Sequence, residues 1–152
     1  MNHDQQSCFV IEGRMALPYQ YFAGAVGSRF IVALRDDKKI LAVRGAKNGT
    51  TFLPPRQTCE RTFESLEDNW VEVGPDGTVT GFTVIRYREP YQPQEPPYVL
   101  ALIRLDGADA PIVHLVECGE VASMRVGMRV RAVFADDPVD NILAIRHFTE
   151  VK

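Results

Sequence analysis

Five apolar segments, Thr78–Arg88, Tyr98–Leu105, Ile112–Glu117, Met128–Phe134 and Ile142–Val151, are each bounded by Gly, Pro or Asp-rich breaks. This punctuation constrains the fold most, because segments so short and so rich in β-branched and aromatic residues bury themselves as strands of a small antiparallel structure. The breaks carry turn chemistry: Gly74-Pro75-Asp76-Gly77 has proline at its second position and glycine for special backbone angles, and Asp106-Gly107 opens a hairpin. Glu89–Pro97 holds four prolines and cannot join a central sheet. Tyr98–Leu105, the most apolar segment, is expected to be central, and Gly81 marks a bulge or coil in the long first strand. Gly119–Gly127 is a connector with room for a helical turn. Five strands with a connector between the third and fourth give the order of an OB-type Greek-key barrel.

The chain ahead of the barrel is written differently. Tyr19, Phe22, Val26, Phe30 and Leu34 recur at steps of three and four, a helical apolar face, and Pro18 suits a first turn. Gly24 and Gly27 interrupt it, so the pattern predicts two short helices meeting near Gly27-Ser28, with Ser28 as a cap, or one helix with a close contact at the glycines. Arg35–Lys39 is a solvated end. Tyr19, Tyr21, Phe22 and Phe30 exceed what one short helix needs to seat itself, which leaves a choice between an intramolecular core and a docking surface. Next, Ile40–Arg44, the turn Lys47-Asn48-Gly49-Thr50 and Thr51-Phe52-Leu53 read as a short hairpin, ended by Pro54-Pro55. Phe52, Leu53, Phe63 and the proline pair are its expected packing groups. Near the N-terminus, Cys8–Ile11 is a short apolar piece.

The stretch Arg44–Thr62, RGAKNGTTFLPPRQTCERT, resembles the knuckle of a family of small proteins in which a rubredoxin-like zinc ribbon precedes an OB-fold barrel and which accompany thiolases and other acyl-CoA enzymes. In that pattern a Cys-x-x-Cys-Gly pair precedes an aromatic-Pro-Pro-Arg segment and a second Cys-x-x-Cys follows. Gly49, Phe52, Pro54, Pro55 and Arg56 fit the frame, but the cysteine positions fall on Gly45, Asn48, Cys59 and Thr62. The likeness continues through Gly77-Thr78-Val79, Phe82-Thr83-Val84, Pro97-Tyr98, Leu105-Asp106-Gly107 and Gly127-x-Arg129-Val130. Structural zinc takes four N or S ligands, so a knuckle keeping Cys59 alone reads as a zinc-free relic. Packing must then replace the roughly 10–16 kcal/mol that a structural zinc supplies. The expected architecture is mainly β: a helical docking segment (1–39), a degenerate ribbon knuckle (40–66) and an OB barrel (67–152).

Chemistry of its own is thinly signalled. His114 lies in a predicted strand with Cys118 just past its end, without the flanking signature of a nucleophilic site. His3, Cys8, Cys59, Cys118 and His147 lack ligand spacing, and no phosphate loop is present. Three widely spaced cysteines and a polar N-terminus suit a reducing compartment, so cytoplasm is expected. A net charge of −3 gives no electrostatic footprint for nucleic acid. Arg86, Tyr87, Arg88 and Tyr91, with Arg129 and Arg131, form the one cluster suited to single strands.

The resemblance implies a non-catalytic accessory subunit, docked on a thiolase-like acyl-CoA enzyme through Tyr19, Tyr21, Phe22 and Phe30 and the knuckle. Arg44, Lys47, Arg56, Arg86 and Arg88 are candidates for the phosphates of coenzyme A, shared with the partner, since Arg forks and Lys charges clamp such anions. The rival expectations are a hot-dog-fold acyl-CoA hydratase as partner, or a free OB module on single-stranded nucleic acid.

Overall fold

A computed structural model describes residues 11, 13, 15 and 17–151; His3 and most of the Cys8–Ile11 piece lie outside the described residues. Among the described residues one α-helix forms, α1 (Gly24–Val32), which runs into a π-type turn at Ala33–Asp37 and ends at Lys38 with φ 55. The two-helix expectation fails because nothing interrupts the helix at Gly27-Ser28. Gly24, at φ 76, turns the chain instead and prevents the helix from reaching back to Pro18. Val26, Phe30 and Leu34 form the buried face.

Strands β1 (Ile40–Arg44), β2 (Thr51–Phe52) and β3 (Trp70–Val73) make an antiparallel sheet in the order β2-β1-β3. The hairpin read from the sequence is present, with Val43 opposite Phe52 and Arg44 opposite Thr51. β1 is buried on both faces: Ile40 and Ala42 join the main core, while Val43 joins Phe52, Cys59 and Leu66 in a second, smaller one. Leu53 is buried as expected, but Phe63 is not a packing group; it is 82% exposed.

Beyond Gly74 the chain closes a five-stranded barrel from β4 (Asp76–Ile85), β5 (Tyr98–Leu105), β6 (Ile112–Glu117), β7 (Arg129–Phe134) and β8 (Ile145–Glu150), ordered β4-β5-β6-β8-β7. All pairings are antiparallel except β6 with β8, the arrangement of an OB fold. Alternate β5 residues Val99, Ala101, Ile103 and Leu105 point inward, as period-two patterning requires. The register shifts between Val79 and Gly81, the bulge signalled by that glycine. Gly77 serves a different end: a Cβ there would come within 2.8 Å of the Arg104 carbonyl, so only glycine lets β4 lie so close to β5. The last strand is shorter than expected, because Ile142–Ala144 forms a 3₁₀ turn with Asn141 Oδ1 accepting from Leu143 N. The connector holds another such turn at Val121–Ser123.

His114 is a buried polar group inside this barrel. Its Nδ1 accepts from Leu115 N, which places the ring proton on Nε2, facing the Ile142 carbonyl at 3.3 Å. Burial holds its pKa below the ordinary histidine value. A proton on Nδ1 would meet an N–H, so the folded state takes it up less readily than the unfolded chain. The stability this contributes is complete above about pH 6.5 and falls as pH drops from there toward the folded pKa. Asp76 and Asp106, held low by hydrogen bonds from Arg131 and Arg129, lose their contributions only below about pH 4, so the two effects separate. Urea midpoints measured from neutrality to about pH 5 should fall in the parent and flatten in His114→Gln. Parallel slopes would refute the assignment.

Candidate functional site

The knuckle gathers the four positions at which the ribbon pattern carries cysteine. The first loop is closed by Gly45 N to Thr50 O and Gly49 N to Gly45 O, and the second by Cys59 N to Glu64 O and Phe63 N to Cys59 O. Asn48 joins them. Its Oδ1 accepts from Thr50 N at 3.0 Å within its own loop, while its Nδ2 donates to Cys59 Sγ across the gap at 3.5 Å. A second tie runs from Lys47 N to the Glu64 carboxylate at 3.2 and 3.3 Å. The Thr62 hydroxyl lies against the Cys59 sulfur, short of full hydrogen-bond geometry, and with the nearby backbone amides holds the thiol below its ordinary pKa.

These donors do not fit structural zinc. One thiol, an amide and a hydroxyl make a poor tetrahedral set, and position 45 has no side chain. A Cβ built on Gly45 would overlap Asn48 Oδ1 and sit 3.1 Å from Glu64 Oε1, so the first ligand's place is already taken. Among the described residues no three His, Cys, Asp or Glu side chains are grouped to hold a metal ion.

Of the docking candidates, Tyr19, Tyr21 and Phe22 precede α1 in chain without regular secondary structure and are 77%, 78% and 84% exposed, the two tyrosine rings 5.9 Å apart. Phe30 is different. It is 6% exposed on the inner face of α1, so it belongs to the core and not to a docking surface, because helical spacing puts it in register with Val26 and Leu34. Leu17 and Met15 extend the exposed apolar row upstream.

The basic candidates fall into separate places. Arg44 lines a cleft of about 480 Å³ with Gly45, Gly49, Asp68 and Trp70, its Nε donating to the Gly49 carbonyl, and Lys47 sits on the same loop. Arg56 pairs with Glu60 and lies 4.7 Å above the Phe52 ring. Arg86 and Arg88 follow β4, where Arg88 pairs with Glu95 beside a different cleft of about 300 Å³. Arg131 is forked onto Asp76 of the neighbouring strand β4, and Arg129 onto Asp106 in the turn after β5. That leaves the single-strand cluster with little unpaired charge.

Among the described residues His114 and Cys118 do not form a nucleophilic pair. Both His114 nitrogens face backbone groups, and burial pushes the Cys118 thiol above its ordinary value. Sequence reasoning did not find the cleft of about 510 Å³ at the β5–β6–β8 seam, lined by Leu115, Cys118 and Arg146, where His147 meets Glu117 at 2.8 Å. The parallel pairing of β6 with β8 creates it, and no local signal announces that pairing.

The fold is that of an OB-fold barrel preceded by a short helix and a three-stranded antiparallel sheet, the mainly β class drawn from the sequence. Residues 70–135 match the family described as ChsH2, C-terminal OB-fold domain. A DUF35 domain-containing scaffold protein of Methanocaldococcus jannaschii is 26% identical over 95 residues, covering 62% of this chain and 67% of the relative. A crystal structure of a DUF35-family protein of unknown function from Sulfolobus solfataricus superposes with TM-score 0.60 at 26% identity, covering 72% of this chain and 78% of the other. The Ltp2-ChsH2(DUF35) aldolase shares the fold at TM-score 0.61 and 20% identity, covering 80% and 91%. The resemblance to OB-fold accessory proteins therefore holds. Among the described residues no helix is long and apolar enough to cross a membrane.

Proposed function

We propose that this chain is a non-catalytic accessory subunit that docks on a thiolase-like acyl-CoA enzyme and lends it surface, the partner supplying all the chemistry. The carrying observation is the exposed row Tyr19, Tyr21 and Phe22 outside the core, on a chain whose His114 turns both ring nitrogens to backbone groups. Aromatic side chains left in water contribute nothing to this fold and are the residues that dominate protein interfaces. The scaffold name of the archaeal relative and the pairing of Ltp2 with ChsH2 in the named aldolase support the reading. Coenzyme A phosphates would meet Arg44 and Lys47 in preference to Arg56 and Arg88, which already hold glutamates. The cytoplasm is the proposed compartment. Native-level expression with gentle purification and mass spectrometry tests the proposal. An acyl-CoA enzyme in stoichiometric company supports it, and turnover of an acyl thioester by the isolated chain sinks it. A hot-dog hydratase as companion would instead select the second reading of the partner.

The same subunit works without resident zinc, its two loops tied by Asn48 and by the Glu64–Lys47 contact. Chelators should leave its melting temperature unchanged, and Asn48→Ala should lower it by several degrees, as loss of one inter-loop hydrogen bond costs about 1 kcal/mol. Gly45→Cys, Asn48→Cys and Thr62→Cys together should take up stoichiometric Co²⁺ with thiolate charge-transfer absorption. Stoichiometric zinc in the parent chain, lost on chelation with unfolding, would overturn this.

A further inference from the structure

One residue of the knuckle works against the chain that carries it. Residues 58 to 65 form a tight reversal, with Thr58 bridged to Ser65, Cys59 N donating to Glu64 O and Phe63 N returning to Cys59 O. The residue closing that loop must turn left-handed, and Phe63 does so at φ 53. Glycine is the ordinary occupant of such a position, because a Cβ there crowds the backbone. Phe63 accepts that strain and gains no burial, since its ring is 82% exposed while Cys59 and Leu66 fill the small core beneath. A bulky apolar side chain that is both strained and solvated serves nothing within its own fold, and such violations mark functional positions.

We infer that Phe63 is an interface anchor that inserts into an apolar pocket of the partner enzyme. This rests on the accessory-subunit reading and names a contact within it. The loop is built to present the ring: the ties from Asn48 to Cys59 and from Lys47 N to Glu64 fix the reversal on both sides of the tip. A rigid aromatic on a fixed turn loses little side-chain freedom on binding, so its contact energy is spent on affinity.

Phe63→Gly gives effects of opposite sign, which no purely structural role would. The isolated variant should melt at or above the parent temperature, because strain is relieved, yet retain its acyl-CoA enzyme companion at least about tenfold less tightly by titration. Phe63→Tyr should keep the companion. Undiminished binding by Phe63→Gly overturns the inference while leaving the accessory reading intact; a parent chain that arrives without any acyl-CoA enzyme sinks both. A lowered melting temperature would show that the ring supports the fold itself. Self-association of the parent that disappears in the variant would assign the ring to a second copy of this chain, and also refutes the proposal.

Discussion

Replacing Tyr19, Tyr21 and Phe22 together by serine is expected to free the chain from its companion enzyme, weakening the complex by about a hundredfold or more, while its own melting temperature stays within about 2 °C of the parent. The three rings precede α1 and make no contribution to either core, so their loss removes no internal packing. At an interface they would be the energetic centre, since a few buried aromatics commonly cost about 2 kcal/mol or more each on truncation. Phe30→Ala separates the two roles: Phe30, on the inner face of α1, belongs to the same core as Leu34 and Val73, and its loss should lower stability before it affects binding. Titration of purified companion against each variant, alongside thermal unfolding, is the measurement. A triple variant that binds as the parent does would remove these residues from the interface.

The contrast between Phe22 and Phe30 also shows where the sequence stops speaking. Steps of three and four place Tyr19, Phe22, Val26 and Phe30 on one helical face, and periodicity alone carries that face through Gly24. A glycine at φ 76 ends it there, and a backbone angle of that kind leaves only a weak trace in composition. The barrel was far more legible, because period-two burial in β5, the Gly81 bulge and the Gly/Pro breaks are local rules that agree with the global fold. The knuckle was legible as a frame, through Gly49, Phe52 and Pro54-Pro55, but not as a set of contacts. That Asn48 reaches Cys59, or that Phe63 faces water, depends on how two loops approach each other across a space with no sequence periodicity. The seam cleft with Arg146 and His147 follows from a parallel strand pair far apart in sequence, which no window of residues contains.

That same pair makes Phe148→Ala the most damaging core substitution to expect. Phe148 is fully buried, stands opposite Val116 on β6 and Ala132 on β7, and meets the His114 ring edge-on at 5.4 Å. It therefore packs where β8 closes the barrel on both sides, and the barrel wall cannot collapse into the space without breaking one of those pairings. A buried Phe→Ala costs about 3–5 kcal/mol, a large share of the roughly 5–15 kcal/mol that holds a domain folded. The melting temperature should drop by about 10 °C or more, whereas Val113→Ala, on the exposed face of β6, should change stability by no more than about 0.5 kcal/mol. Loss should also be uneven: amides of β6 and β8 should exchange sooner than those of β1 and β3, whose sheet is anchored by separate pairings and by the Val43–Cys59–Leu66 core. Denaturant unfolding and hydrogen exchange on the two variants decide it. A cost below about 1 kcal/mol for Phe148→Ala would mean that β8 does not close this barrel.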